Sequence, residues 1–100
     1  MATRKIIWTH RAKIKLYQIL EYFTSRNGNS VYSRKLYLRF KKELKPLLKY
    51  PNLGKFTEIE QIRGLIVDDY ILFYSEEKEG ILVHYVWDTR QDPSALKIKE

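Results

Sequence analysis

Three apolar runs in the last forty residues constrain the fold more than anything else in this chain. They are Ile62 to Val67, Tyr70 to Ser75 and Ile81 to Trp87. Asp68-Asp69 separates the first two, and a polar stretch ending in Gly80 separates the last two. Apolar runs of this length, split by turn residues, predict an antiparallel meander. A polar segment, Asp88-Thr89-Arg90-Gln91-Asp92-Pro93, then leaves the sheet, and a further short strand is expected from Phe56 to Glu60.

The first half reads differently. Lys5 to Trp8 forms a short strand, and Thr9 suits a helix N-cap. Ala12, Leu16, Ile19, Leu20 and Phe23 make one stripe at helical spacing, which ends near Arg26-Asn27-Gly28. Asn29 or Ser30 caps a second helix, with Tyr32, Leu36, Phe40, Leu44, Leu47 and Leu48 as its stripe. Most of the aromatic residues in that helix are expected in the core. Pro46 predicts a kink, or a helix that stops near Lys45 and continues as a looser turn. Tyr50 to Gly54 is a break. Helices joined by so few residues pack as an antiparallel hairpin. The expectation is one α+β domain over residues 1–100: an N-terminal strand and a helical hairpin packed on a twisted antiparallel sheet.

Composition narrows the function. Cysteine is absent, which excludes disulfides and thiolate metal sites. No stretch has the length of a signal peptide's apolar region or a membrane span, so a cytoplasmic protein without membrane contact is expected. The net charge is +7 and unevenly spread. Residues 1–50 hold thirteen basic and two acidic side chains, and residues 51–100 hold six and ten. That asymmetry points to a polyanionic or acidic partner for the basic half, although a solvated helical surface has the same composition.

Common catalytic patterns are missing. The four glycines form no phosphate-cradling loop, and neither His10 nor His84 has a second ligand at metal spacing. No cofactor or metal is expected. Ser75 and Ser94 lack a base nearby in sequence, and Glu76 to Glu79 reads as a solvated hairpin tip. Arg63 stands in an otherwise apolar strand and needs a carboxylate, a carbonyl or a ligand. Arg90 lies between Asp88 and Asp92, where a local ion pair could fix the chain exit.

The order of these pieces resembles the RelE/ParE superfamily of bacterial toxin–antitoxin toxins. The resemblance runs from Trp8 and the first helix (Ala12, Leu16, Ile19, Tyr22) through Leu47-Leu48 and Pro51-Asn52-Leu53-Gly54. It continues through Arg63, Leu65, Tyr70, Ile71, Phe73 and Tyr74 to Val86–Pro93. It implies a helical hairpin on an antiparallel sheet, and a cognate antitoxin as partner. RelE-like members cut messenger RNA on the ribosome, whereas ParE-like members inhibit DNA gyrase. This chain departs from the nuclease pattern. Ile71 stands where RelE-like nucleases often place Arg, Ile62, Gly64 and Ile66 replace alternating basic residues, and Ser94 to Lys99 holds no Tyr. The spacing of Arg63 to Tyr70 looks more like the ParE branch.

The resemblance thus implies a toxin that acts by binding. Its target-binding residues would be Arg63, Asp88, Arg90 and Gln91, and its antitoxin-binding residues Trp8, Leu16, Tyr17 and Tyr85. The alternative is a ribosome-dependent nuclease with a reduced site of Arg63, His84 and Arg90. A basic nucleic-acid-binding module and an inactive family member are further alternatives.

Overall fold

The computed structural model describes residues 3–91. Asp92, Pro93 and the segment 94–99 weighed above lie outside the described residues. Strand β1 (Lys5–Trp8) leads into helix α1 (His10–Asn27). The Thr9 hydroxyl accepts from the Ala12 amide at 3.1 Å and donates to the His84 carbonyl at 3.2 Å, so one side chain caps the helix and ties it to the sheet. Gly28 ends α1 with φ of 73°, a left-handed conformation that costs glycine nothing.

Helix α2 (Val31–Leu44) follows. The Asn29 side chain accepts from the Val31 amide at 3.1 Å, whereas the Ser30 side chain makes no capping bond. The helices are locked by a buried polar contact. Ser33 donates to the Leu20 carbonyl at 2.8 Å and meets the Thr24 hydroxyl at 2.7 Å. The α-helix stops at Leu44, and a 3-10 turn over Lys45–Leu48 carries Pro46 in its first turn, where no amide proton is needed.

Four further strands follow: β2 (Lys55–Phe56), β3 (Arg63–Val67), β4 (Tyr70–Glu77) and β5 (Gly80–Asp88). The sheet order is β1-β5-β4-β3-β2. From β2 to β5 each consecutive pair is antiparallel, as the apolar runs predicted for the last three. The N-terminal strand joins the antiparallel sheet at its edge and makes it mixed. β1 lies parallel to β5, with Lys5 beside Gly80 and Trp8 beside Val83. Gly80 makes this approach possible, since a Cβ there would fall 1.9 Å from the Lys5 carbonyl oxygen. The strand expected over Phe56 to Glu60 shortens to Lys55–Phe56. The Thr57 hydroxyl bonds the Ile59 and Ile62 carbonyls at 3.1 and 2.8 Å, which turns the chain instead.

The sheet has an apolar layer on each face. Ala12, Leu16, Leu36, Phe40 and Leu44 of the helices pack on Leu72, Tyr74, Val83 and Val86. Ile62, Phe73 and Trp87, with Ile71 and Tyr85, form a smaller cluster on the other side. Of the α2 aromatics only Phe40 is buried; Tyr32 and Tyr37 are 43% and 37% exposed, against the expectation from spacing. They flank the buried stripe of Leu36, Phe40 and Leu44 rather than lie on it.

One irregularity controls side-chain direction. Phe73 pairs with Tyr85 but Tyr74 pairs with Val83, so His84 is an extra, bulged residue. Val83 and Val86 therefore share the helical face, three residues apart, while Tyr85 joins the opposite cluster.

Candidate functional site

A groove of about 380 Å³ opens between α1 and the end of β5. Lys15, Gln18, Tyr22 and Arg26 line it from the helix; Tyr70, Asp88, Arg90 and Gln91 line it from the sheet. Three of the expected target-binding residues, Asp88, Arg90 and Gln91, thus stand together.

The chain exit is built around Asp88. Its Oδ1 accepts from the Arg90 amide and Nε, and its Oδ2 accepts from Nη2, all at 2.9 Å. This two-pronged grip sets the plane of the guanidinium. Nη2 also reaches the Tyr70 hydroxyl at 3.5 Å, and Nη1 lies 3.9 Å from Asp69. Thr89 donates its amide and its hydroxyl to the Asp69 carbonyl, both at 2.8 Å, and so pins the exit to the β3–β4 turn. Asp68 opens that turn with φ of 54° and pairs with Arg39 of α2 at 2.8 Å.

The electrostatics follow from these contacts. The Arg90 hydrogen bond holds the Asp88 carboxyl below its ordinary range, despite some burial. Burial, helped by the Asp88 charge, pushes the Tyr70 phenol up to about 12. At neutral pH the groove therefore presents an ionised carboxylate, a neutral phenol and the cations Lys15, Arg26 and Arg90. Such a set has the donors, acceptor and charges to hold a polar group.

Arg63 lies elsewhere. It pairs with Tyr74, whereas Asp88 pairs with Tyr70, and those two positions are separated by about 13 Å along β4. Arg63 donates to the Gly54 carbonyl at 2.9 Å and to the Asn52 carbonyl at 3.5 Å, and it stacks on Phe56 at 4.1 Å. Its need for a partner is met by carbonyls. The same loop is held by Tyr74, whose hydroxyl donates to the Pro51 carbonyl at 2.6 Å and accepts from the Gly54 amide at 2.8 Å.

His84 is on the opposite face from Arg63. Directly paired residues share a face, so Arg63 sides with Tyr74, and Ser75 points the other way. His84 Nε2 lies 2.7 Å from the Ser75 hydroxyl, which donates to Glu77 at 2.7 Å. The carboxylate thus contacts the serine and not the imidazole, and Ser75 is only 4% exposed. Burial lowers the His84 pKa, partly offset by Glu77. Arg63, His84 and Arg90 do not converge.

A second hollow lies at the other side of α1. Trp8, Leu16, Tyr17, Leu20 and Tyr37 line a hollow of about 250 Å³. Through Trp8 and Tyr37 it adjoins a groove of about 330 Å³ with Ile6, Leu44, Lys41 and Lys45. Tyr85 is not part of it. The bulge turns Tyr85 to the other face, where the Arg11 guanidinium lies 4.2 Å above its ring.

Sequence reasoning did not place Lys15, Gln18, Tyr22, Arg26 or Tyr70 in the exit groove. The helical signal for the first four was their spacing over three turns beside the buried Ile19.

A helical hairpin thus packs on a five-stranded sheet, and a polar groove opens where the last strand leaves. A family model described as the ParE toxin of the type II toxin–antitoxin system parDE matches residues 6–93. The chain belongs to this family: it is the toxin component of a ParDE-type module, and its partner is a cognate antitoxin. Among solved structures, a chain of the chromosomal ParDE toxin–antitoxin system from P. aeruginosa superposes with a TM-score of 0.70. The match covers 84% of this chain and 94% of that one, at 17% identity. No curated sequence matches the chain. Among the described residues, no helix is long and apolar enough to cross a membrane.

Proposed function

We propose that this toxin arrests growth by binding its target at the exit groove, without catalysis. The observation that carries the reading is the grouping of Asp88, Arg90 and Gln91 with Lys15, Gln18 and Arg26 in one polar groove. Ribonucleolytic chemistry needs an acid–base pair or converging cations around one phosphate. The three residues of the nuclease alternative are divided between two ends and two faces of the sheet. DNA gyrase is the target proposed for the first assay, and the cytoplasm the site of action.

Neutralisation is assigned to a different surface. The hollow at Trp8, Leu16 and Tyr17, continued by the groove at Tyr37 and Leu44, has an apolar floor with Lys13, Lys41 and Lys45 at its rim. An amphipathic acidic segment of the antitoxin would fit it.

The test is induction of the protein alone in bacteria, with and without the neighbouring gene, followed by assays on purified components. Growth should stop, recover on coexpression, and gyrase supercoiling should fall while messenger RNA on programmed ribosomes stays whole. Unimpaired growth with folded protein present overturns the toxin activity. Ribosomal A-site cuts lost in Arg90→Ala overturn the binding mechanism.

A further inference from the structure

Helix α2 turns Ser33, Leu36, Phe40 and Leu44 inward, which leaves the opposite stripe in solvent. On that stripe stand Arg34, Lys35, Leu38, Lys41 and Lys42, with Lys45 on the turn that follows, all exposed. From Val31 to Leu48 there are six basic residues and one acidic residue, Glu43. Arg39 is paired with Asp68, and Lys41 sits 5.5 Å from the Tyr37 ring. Arg34, Lys35, Lys42 and Lys45 have no carboxylate partner among the described residues. Lys41 and Lys42 stand in the last turn of α2, where cations suit the helix dipole, whereas Arg34 and Lys35 stand in its first two turns with no such compensation. A stripe of exposed cations without carboxylate partners among the described residues points to a polyanion outside the molecule.

We propose that the solvent face of α2 binds the phosphate backbone of double-stranded DNA, without reading bases. This surface is separate from the exit groove, and the inference does not rest on the function assigned there. Lys41 and Lys45 also rim the groove assigned to the antitoxin, but Arg34, Lys35 and Lys42 lie outside both it and the hollow beside it. Among the described residues, those three have no pocket or aromatic anchor of the kind that holds a protein partner. A membrane surface takes a helix through a broad apolar face, but the apolar face of α2 is already inside the fold, and only Val31 and Leu38 are exposed aliphatics on the outer stripe. Single strands require a row of stacking rings, and here the two exposed rings of α2, Tyr32 and Tyr37, stand apart, with Tyr32 already packed edge-on against Phe23. What remains is a line of flexible point charges. From Arg34 to Lys42 the helix rises about 12 Å. That spans about three or four phosphates of one strand.

The number of phosphates neutralised sets the salt dependence. With about four contacts, the logarithm of the association constant should fall with the logarithm of salt with a slope of about −3.6. The experiment is fluorescence anisotropy of labelled duplexes of two unrelated sequences, titrated with the full chain across about 50–200 mM salt. Binding should be in the range of about 10⁻⁴–10⁻⁶ M and equal for both sequences. The double variant Lys35→Gln, Lys42→Gln should flatten the slope by about two units, weaken both duplexes alike, and leave thermal melting unchanged. Neither residue lines the exit groove or the antitoxin hollow. The proposal is overturned by any of four results: no binding at the lowest salt, a slope that the double variant does not change, tighter binding to single strands, or tighter binding to anionic phospholipid vesicles.

Discussion

Replacing Arg90 by alanine should abolish growth arrest while leaving the fold almost intact. The structural cost can be worked from its contacts. The guanidinium is 55% exposed, so its grip on Asp88 is screened by water despite the two 2.9 Å bonds. Pairs of this exposure contribute about 1 kcal/mol or less. The Tyr70 contact at 3.5 Å and the Asp69 contact at 3.9 Å are too long to add much. For a domain of this size about 1 kcal/mol lowers the melting temperature by about 4–8 °C. The loss should also depend on pH in a defined direction. Asp88 has a folded pKa below its unfolded value. Its pairing therefore stabilises fully above the unfolded value of about 3.9 and fades as pH falls through the folded value. Wild type and Arg90→Ala should differ at neutral pH and converge in strong acid. Arg90→Lys should keep the charge but not the planar fork, and should recover little arrest. The assays are growth after induction, soluble yield and melting of each purified variant. A fully toxic Arg90→Ala refutes the site. Loss of arrest together with loss of soluble protein shows that Arg90 serves the chain exit alone.

Tyr17→Ala should keep toxicity but resist rescue: Tyr17 is 62% exposed, so stability should hold while antitoxin affinity drops about tenfold or more, read by titration of purified partners. Tyr74→Phe should cost about 1–3 kcal/mol, because the buried Gly54 amide loses its acceptor and the Pro51 carbonyl its donor. Chemical denaturation measures that loss, and a change within error means water replaces the phenol. His84 has a folded pKa below 6.5. Stability should therefore be undiminished above that value and decline as pH drops through it, since the unfolded chain takes up the proton first. His84→Gln should flatten this acid limb in melts taken between about pH 7 and 5.

What the sequence made legible was local. Thr9, Gly28 and Pro46 each act within one helical turn, so their roles follow from residue type. The meander was legible because its turns are short. Long-range pairing was not. Nothing in Lys5 to Trp8 names β5 as its neighbour or sets a parallel direction. The resemblance groups Tyr85 with Trp8, and strict alternation from Val83 would carry it to the helical face. The bulge at His84 reverses that count. The separation of Arg63 from Arg90 was available in advance. In a three-strand meander the start of the first strand and the end of the last lie at opposite ends, so Arg63 at the head of β3 and Arg90 beyond β5 cannot meet.

The pairing of β1 with β5 has a consequence for the order in which the chain becomes active. Trp8 finds its strand partner at Val83, and the hydroxyl that caps α1 is bonded to the His84 carbonyl. The first strand therefore has no place to dock until the last has been synthesised. Contacts of such sequence separation form late and slow folding. A ribosome that stops before Gly80 releases a chain whose α1 stripe and β1 edge are uncovered, with no completed exit groove. Such a fragment should be prone to aggregation and proteolysis rather than act as a poison. For a protein that harms its own cell, the topology makes completion of the chain the condition for toxicity.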